Sequence, residues 1–262
     1  ALVGGTVVGQ NAGLRLQYGD GITAIGRYAA QGVTGTQGAR QGCTFVGEYS
    51  GSYANSNFNT VVGSFALYGV DNVSNPNQTV AVGYEALYAT TTGDQNTVVG
   101  YRAGKNITSS PDNVFIGQLA GTANTTGTHN IAIGDLAYDN ADTESNNIAI
   151  GADSMTSAVA GGENNTAVGG SALFSITSAD NCVAVGYNSG SSITTGGTNT
   201  VVGVDAGKTI STGDGHTCIG YASGDAVTTG SNSTFLGIHA GGAVTTGSQN
   251  TCVGQYAGVD IT

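Results

Sequence analysis

The residues of this sequence that could take part in catalysis are three histidines and one serine between glycines. A histidine acts as a general base only where it converges with a nucleophile or a carboxylate. His129, His216 and His239 stand at different positions of the repeat described below, so the repeat does not bring them together. Ser223 lies in Gly-Tyr-Ala-Ser-Gly, but its repeat position always carries Ala or Ser. We therefore predict no catalytic residue and no enzymatic activity.

The candidates for metal binding are the cysteines and a short run of aspartates. The four cysteines show no Cys-x-x-Cys spacing, so free buried thiols are expected, with a bond between chains as the alternative. They are Cys43, Cys182, Cys218 and Cys252. Asp135, Asp139 and Asp142 lie within one repeat without the Gly-Gly-x-Gly-x-Asp pattern of calcium-binding rolls, which favours a solvated acidic surface. We predict neither a metal nor a cofactor.

Composition narrows the class of protein. The 262 residues include 45 glycines but only 2 prolines, and aliphatic residues are spread evenly, which excludes collagen and argues against disorder. Seventeen acidic and six basic residues give a formal net charge of −11, which would repel nucleic acids and anionic lipids. No apolar run approaches the roughly 20 residues of a membrane span. We expect no nucleic-acid partner and no membrane insertion.

A repeat of about 17 residues positions all of these side chains. A glycine follows each short apolar run, and from Gly83 onward nine of ten intervals are 17 residues and one is 18. Before Gly83 the intervals are 17, 21, 16 and 20, so irregular rungs are expected between about residues 27 and 83. The repeat glycines are Gly9, Gly26, Gly47, Gly63, Gly83, Gly100, Gly117, Gly134, Gly151, Gly169, Gly186, Gly203, Gly220, Gly237 and Gly254.

The three residues before each repeat glycine predict a short strand. The first is always β-branched, the last is always Val, Ile or Leu, and the middle one is also apolar. Because successive strand residues face opposite sides, both faces are expected to be buried. Ala or Ser stands three residues after every repeat glycine, which indicates close stacking. A second strand is predicted at 193–196, 227–230 and 244–247, where the sequence reads Ile/Val-Thr-Thr-Gly.

An asparagine column precedes the strands. Asn stands four residues before the repeat glycine in eight turns, where stacked rungs would align it into a hydrogen-bonded ladder. The residues predicted to form this ladder and the adjoining turn include Asn96, Asn113, Asn130, Asn147, Gly100, Gly117, Gly134 and Gly151.

A 17-residue period with short strands and tight turns is too short for helical repeats. The sequence therefore predicts an all-β fold, a parallel β-solenoid or β-roll of about fifteen 17-residue rungs, as a single repeat domain over residues 1–262. At about 4.8 Å per rung, this would be a rod of about 70 Å.

The segment Asn147-Ile148-Ala149-Ile150-Gly151-Ala152-Asp153-Ser154 resembles the head repeat of trimeric autotransporter adhesins, and related repeats occur in phage tail fibres. The resemblance implies a left-handed parallel β-roll, three copies of which pack around one axis, and a role in attachment to host surfaces. The 17-residue period is longer than the common adhesin repeat. No coiled-coil stalk or anchor barrel follows in the sequence, which favours a phage or other fibre segment over an intact bacterial adhesin.

A strand that is apolar on both faces predicts a partner without reference to the resemblance. A thin roll has one interior, so the second apolar face must be covered by another chain. We predict that the uniform columns fill the roll and that the size-varied middle column is the interface of a homotrimer; the reverse assignment stays open. The predicted interface residues are Phe45, Val61, Val98, Phe115, Ala132, Ala149, Val201, Cys218, Phe235 and Cys252.

The predicted function is a structural and adhesive fibre, a phage tail fibre or adhesin head segment in a virion or on a cell surface. A host surface glycan or protein receptor is a partner compatible with that role. One alternative is an extracellular filament subunit that stacks end to end, because the repeat begins by Thr6 and still runs at Gly258. Another is an ice-binding solenoid with an aligned threonine column: Thr91, Thr108, Thr125, Thr177, Thr194, Thr228 and Thr245. A polysaccharide-active solenoid is disfavoured because no carboxylate cluster recurs.

Overall fold

The computed structural model describes residues 2–16, 18–32, 39–69, 74–157 and 161–260. The repeat runs through two compact units, unit 1 (Ala1–Asn130) and unit 2 (Ile131–Thr262). The regular structure of the described residues consists of strands without a helix, which confirms the predicted all-β parallel β-solenoid with rungs of about 17 residues. Residues 33–38 and 70–73, within the segment predicted to be irregular, lie outside the described residues.

Unit 1 contains two parallel sheets. A three-stranded sheet has the order β1-β3-β5, with Leu2 opposite Gly19 and Gly19 opposite Arg40. The main strands stack in sequence order, β2-β4-β6-β7-β8-β9-β10, each paired in register with the next. Their bounds are β1 Leu2–Val3, β2 Thr6–Val8, β3 Tyr18–Asp20, β4 Thr23–Ile25, β5 Ala39–Gln41, β6 Thr44–Val46, β7 Thr60–Val62, β8 Val80–Val82, β9 Thr97–Val99 and β10 Val114–Ile116.

Unit 2 is more regular, with eight strands that stack in sequence order from β11 to β18. Every main strand of both units ends at the residue before a repeat glycine, as predicted. The bounds in unit 2 are β11 Ile131–Ile133, β12 Ile148–Ile150, β13 Thr166–Val168, β14 Val183–Val185, β15 Thr200–Val202, β16 Thr217–Ile219, β17 Thr234–Leu236 and β18 Thr251–Val253.

The repeat glycine turns the chain where neighbouring rungs touch. Gly134 has φ +142°, a conformation that L side chains rarely adopt, and a Cβ there would lie 2.5 Å from the carbonyl oxygen of Gly151. The other predicted turn glycines have the same conformation, with φ +142° at Gly100, +143° at Gly117 and +134° at Gly151. Glycine therefore recurs at this position because each rung is packed directly against the next.

The size-varied column lies inside the roll, which corrects the interface prediction. In the main strands from β4 onward the middle residue points inward and is buried in the single chain, whereas the first and third residues are at least partly exposed. A side chain enclosed by its own chain cannot contact a second copy, so these residues fill the roll and do not form a subunit interface. The corrected residues are Phe45, Val61, Val98, Phe115, Ala132, Ala149, Val201, Cys218, Phe235 and Cys252.

Differences in side-chain size in this column are matched by opposite differences in side-chain size at the position four residues after the repeat glycine. Where the strand carries a large Phe115, that position is Gly121, whose added Cβ would lie 2.5 Å from the phenyl ring. Where the strand carries the small Ala149, that position is Met155, which is fully buried. Because a close-packed interior has a nearly fixed volume per rung, a large residue in one column requires a small one in the other.

The asparagine column forms the predicted ladder, but its partners are mainly backbone groups. Asn165 Nδ2 donates to the carbonyl of Ala179 (2.8 Å), and its Oδ1 accepts the backbone N–H of Cys182 (2.9 Å). The same contacts join Asn96 to the backbones of Ser110 and Asn113. The side chain thus needs both a donor and an acceptor, which asparagine supplies.

Replacing Asn165 with alanine is expected to lower the free energy of unfolding of unit 2 by about 2–4 kcal/mol, because it leaves a buried carbonyl and a buried N–H without partners. Its exposed neighbour Asn164 is the matched control, and Asn164→Ala should cost about 1 kcal/mol, from its left-handed backbone alone. Urea denaturation followed by circular dichroism measures both variants. Equal losses would show that the ladder contributes nothing specific.

The second predicted strand, at 193–196, 227–230 and 244–247, is wrong. The chain bends there: in an equivalent segment the N–H groups of Ser211 and Thr212 both point at the carbonyl of Thr228, at 2.9 and 3.4 Å. Two donors that converge on one acceptor cannot form a strand ladder. The apolar residues of these segments, Ile193, Val227 and Val244, are buried in the core.

Candidate functional site

The strongest candidate for an interaction site is the outer strand face. We define it as the first and third residue of each main strand together with the residue after each repeat glycine. β-branched and aliphatic side chains occupy its two strand positions along both units, and in unit 2 Leu236 is 44% exposed. The position after the repeat glycine varies, and there Tyr187 is 57% exposed. Large apolar side chains in water are ordinary when scattered, but here they are aligned in columns by the rung repeat.

The face forms a continuous stripe on unit 2. Its eight strands stack at the spacing of a β-sheet, so the stripe is about 34 Å long and about 10 Å wide. Further exposed apolar members are Val183, Val185, Val204, Ile219, Tyr221, Ile238 and Val253. A contiguous patch of this kind is typical of surfaces that bind another protein.

Charge is nearly excluded from the same face. Residues 131–262 contain eleven acidic residues and one basic residue, so this part of the chain carries a formal charge of −10. Of the eleven acidic residues, only Asp135 occupies a position of the outer strand face. The acidic residues of the unit therefore lie almost entirely off its apolar stripe, where like-charge repulsion is small.

Unit 1 differs in charge and in aromatic content. It carries five of the six basic residues against six acidic ones, and ion pairs join Glu85 to Arg102 Nε at 2.8 Å and to Lys105 Nζ at 2.7 Å. Arg27 pairs with Glu48 one rung away. These pairs lie near the surface and contribute little stability individually.

Most tyrosines of unit 1 pack against aromatic rings of the same unit. Tyr68 and Tyr88 stack at 5.2 Å between ring centroids, and Tyr84 and Tyr101 stack at 5.7 Å. Burial raises the pKa of Tyr68 to about 12. Stacking from rung to rung covers ring faces that a sugar would need, so this aromatic ladder supports packing rather than a glycan platform.

None of the candidate catalytic residues forms a site. Ser223 is buried, and its hydroxyl donates to the carbonyl of Phe235 at 2.8 Å. His129 is exposed, His216 is buried, and His239 lies between the rings of Tyr221 and Tyr256.

The four cysteines are free and buried. Cys43 and Cys182 replace Asn in the ladder column, where their thiols donate to the carbonyls of Ser56 and Gly196 at 3.4 Å. Burial raises the pKa of Cys218 to about 12, which keeps this thiol protonated and unreactive.

The aspartates of one rung do not form a metal site. Within the described ranges, no group of three or more His, Cys, Asp or Glu side chains is arranged to hold a metal ion. Burial raises the pKa of Asp139 to about 6, and the nearby carboxylates of Asp153 and Asp135 add to the effect.

The threonine column is used for stacking. The hydroxyl of Thr194 donates to the carbonyl of Ser211 at 3.0 Å, and that of Thr228 donates to the carbonyl of Thr245 at 3.1 Å. Thr91, Thr108 and Thr177 make the same bond to the next rung. These donors are therefore not available to an ice surface, which disfavours the ice-binding alternative.

The sequence contains a signal for the outer strand face. The paired sizes of Phe115 with Gly121 and of Ala149 with Met155 are visible in the printed sequence. Columns that compensate each other in volume share one interior. This correlation would have placed the size-varied column inside and the uniform columns outside.

No helix in the part of the chain that the structure describes is long and apolar enough to cross a membrane. Scans of the sequence against protein-family models and against curated proteins gave no match.

Proposed function

We propose that this chain is a structural and adhesive fibre subunit, a segment of a phage tail fibre or of an adhesin head, whose copies assemble as a homotrimer through the outer strand face. The observation that carries the proposal is the apolar stripe of unit 2, on which Asp135 is the one acidic residue of the eleven that this unit contains. The resemblance to adhesin head repeats supports both the trimer and the attachment to host surfaces. A host surface glycan or protein is the receptor class, and the protein acts in a virion or on a cell surface.

Self-assembly fits the chemistry of the stripe better than a soluble ligand does. The third residue of every strand on this face is Val, Ile or Leu, which offers area without hydrogen-bond donors or acceptors, as the core of a protein interface does. Thr occupies the first position in five of the eight strands of unit 2. Burying the aliphatic side chains removes apolar surface from water at about 25 cal/mol per Å². A foreign polyanion would be repelled by the surrounding carboxylates, whereas a copy can oppose stripe to stripe and keep its own carboxylates in water.

Sedimentation velocity tests the assembly. The wild-type chain is expected to sediment at three times 25.8 kDa, and Leu236→Asp is expected to dissociate it, because an unpaired charge would be buried in the interface. Asn232→Asp, exposed on the same unit but off the stripe, adds the same charge and should leave the trimer intact. A wild-type monomer at micromolar concentration would show that the proposed assembly is wrong.

The adhesive role requires a separate measurement. Fluorescently labelled trimer should adsorb to a panel of bacterial and epithelial cells in a saturable way, and excess unlabelled protein should compete. Adsorption to none of the cells would leave the trimer as a fibre shaft and would contradict the adhesive part of the proposal.

A further inference from the structure

His216 replaces asparagine in the ladder column of unit 2. Its backbone N–H donates to Oδ1 of Asn199 at 2.8 Å, as an asparagine in this column would do. Its Nε2 lies 2.5 Å from the carbonyl oxygen of Gly230, the group that an asparagine Nδ2 would contact. The ring is 1% exposed and stacks on Phe235 at 6.3 Å. His216 thus joins the rungs of β15, β16 and β17.

The neutral imidazole makes only part of the hydrogen bonds available to its two ring nitrogens. With the proton on Nε2, the ring donates to Gly230, while Nδ1 is buried and has no hydrogen-bond partner among the described residues. A second proton would place an N–H at Nδ1 and a full positive charge between an apolar ring and backbone groups. Burying an uncompensated charge is strongly unfavourable.

The groups packed around His216 do not neutralise that charge. The rung before it presents the amide of Asn199, and the rung after it presents Phe235 and the backbone carbonyls of Gly230 and Ser233, all uncharged. On its own rung, Cys218 is a neutral buried thiol, and Asp214 is the charged group that acts on the ring. The carboxylate of Asp214 already accepts the backbone N–H of Gly197 at 2.7 Å.

The balance of these effects favours the neutral ring. Burial lowers the pKa of His216 more than the backbone carbonyls of Gly230 and Ser233 and the charge of Asp214 raise it. The unfolded chain therefore takes up a proton at higher pH than the folded chain does. Stability contributed by this site is present at neutral pH and is lost as pH falls below the ordinary histidine value of 6.5.

We propose that His216 is an acid-sensitive point built into unit 2, where protonation opens the stacked rungs of β15, β16 and β17 and with them the part of the outer strand face that they carry. The opening is a property of the single chain. Its consequence for assembly, release of the copies at acid pH, rests on the proposed function.

Thermal melts between pH 7.5 and pH 5.0 test the proposal with His216→Asn, which restores the column's usual residue. The wild type is expected to lose several degrees in Tm relative to this variant as the pH falls, because other titrating groups cancel in the comparison. His129→Asn, at an exposed histidine, is the matched control and should follow the wild type. Parallel curves for wild type and His216→Asn would overturn the proposal.

Hydrogen exchange locates the opening. Amides of residues 217–236 in the wild type should exchange faster than those of His216→Asn at pH 5.0 and equally at pH 7.5, while residues 148–168 show no difference at either pH. If His216→Asn does not fold, His216→Cys takes its place, because Cys43 and Cys182 already occupy this column. Uniform exchange along unit 2 at pH 5.0 would contradict a local site.

These measurements do not depend on assembly. Melts and exchange report the rungs in a monomer or a trimer, so a wild-type monomer would refute the proposed function and leave the acid response intact. A trimer without acid-sensitive exchange at residues 217–236 would refute the role of His216 alone.

Discussion

Gly186→Ala is expected to lower the free energy of unfolding of unit 2 by more than about 4 kcal/mol. Gly186 has φ +133°, and an added Cβ would lie 2.5 Å from the carbonyl oxygen of Gly203 in the next rung. Neither atom can move without breaking the backbone hydrogen bonds that join the rungs, such as that from Gly203 N–H to the carbonyl of Val185 at 2.8 Å. The substitution therefore adds backbone strain to a steric overlap.

Gly170→Ala is the matched control. It adds the same methyl group to the same unit, its backbone is not in the left-handed region, and its nearest neighbour is the mobile edge of Tyr187 at 3.4 Å. Its effect should stay within about 0.5 kcal/mol. Urea denaturation of both variants provides the comparison, and a Gly186→Ala protein as stable as Gly170→Ala would show that the rungs are not packed in this way.

Val98→Asp is expected to abolish the folding of the rungs around β9. Val98 is fully buried inside the roll, where a carboxylate would have neither water nor a partner, and the cost is about 4 kcal/mol or more. Far-UV circular dichroism should show loss of β-structure, and limited proteolysis should cut near residue 98. The same substitution in a subunit interface would instead give a folded monomer.

Val99→Asp separates these two outcomes. Val99 is the next residue along the chain, but it lies on the outer strand face, so its carboxylate remains in water in the single chain. We expect a normal circular dichroism spectrum with weakened assembly in sedimentation. If Val98→Asp were the folded monomer and Val99→Asp the unfolded protein, the orientation of the strand would be the reverse of the structure.

The sequence by itself determined the elements that depend on period and local preference. The glycine that ends each strand is fixed by its backbone conformation, as at Gly134, and the β-branched residues before it favour strands. Because this pattern recurs every 17 residues, a parallel solenoid is the arrangement in which equivalent residues of successive rungs stack on one another. Fold class, strand positions and the asparagine column were therefore predictable.

The partners of the asparagine column were less predictable. A ladder of side chains was expected, yet Asn165 bonds chiefly to the backbones of Ala179 and Cys182. Stacking of the rungs aligns equivalent residues, but it does not determine the position of the backbone carbonyl in the turn of the next rung, which the asparagine contacts. The same gap explains the wrong second strand, because Thr-Thr pairs favour strands while their N–H groups converge on one acceptor in the folded chain.

The strand residues by themselves do not decide which face is inside; the closed rung decides it. A three-residue strand with apolar residues at all positions, such as Thr97-Val98-Val99, has no polar face to mark the solvent side. What selects the inside is volume: Phe115 needs the space left by Gly121, and Met155 fills the space left by Ala149. That match joins residues across a turn, so it emerges when the rung closes on itself. The uniform columns are left outside, where they form the apolar stripe.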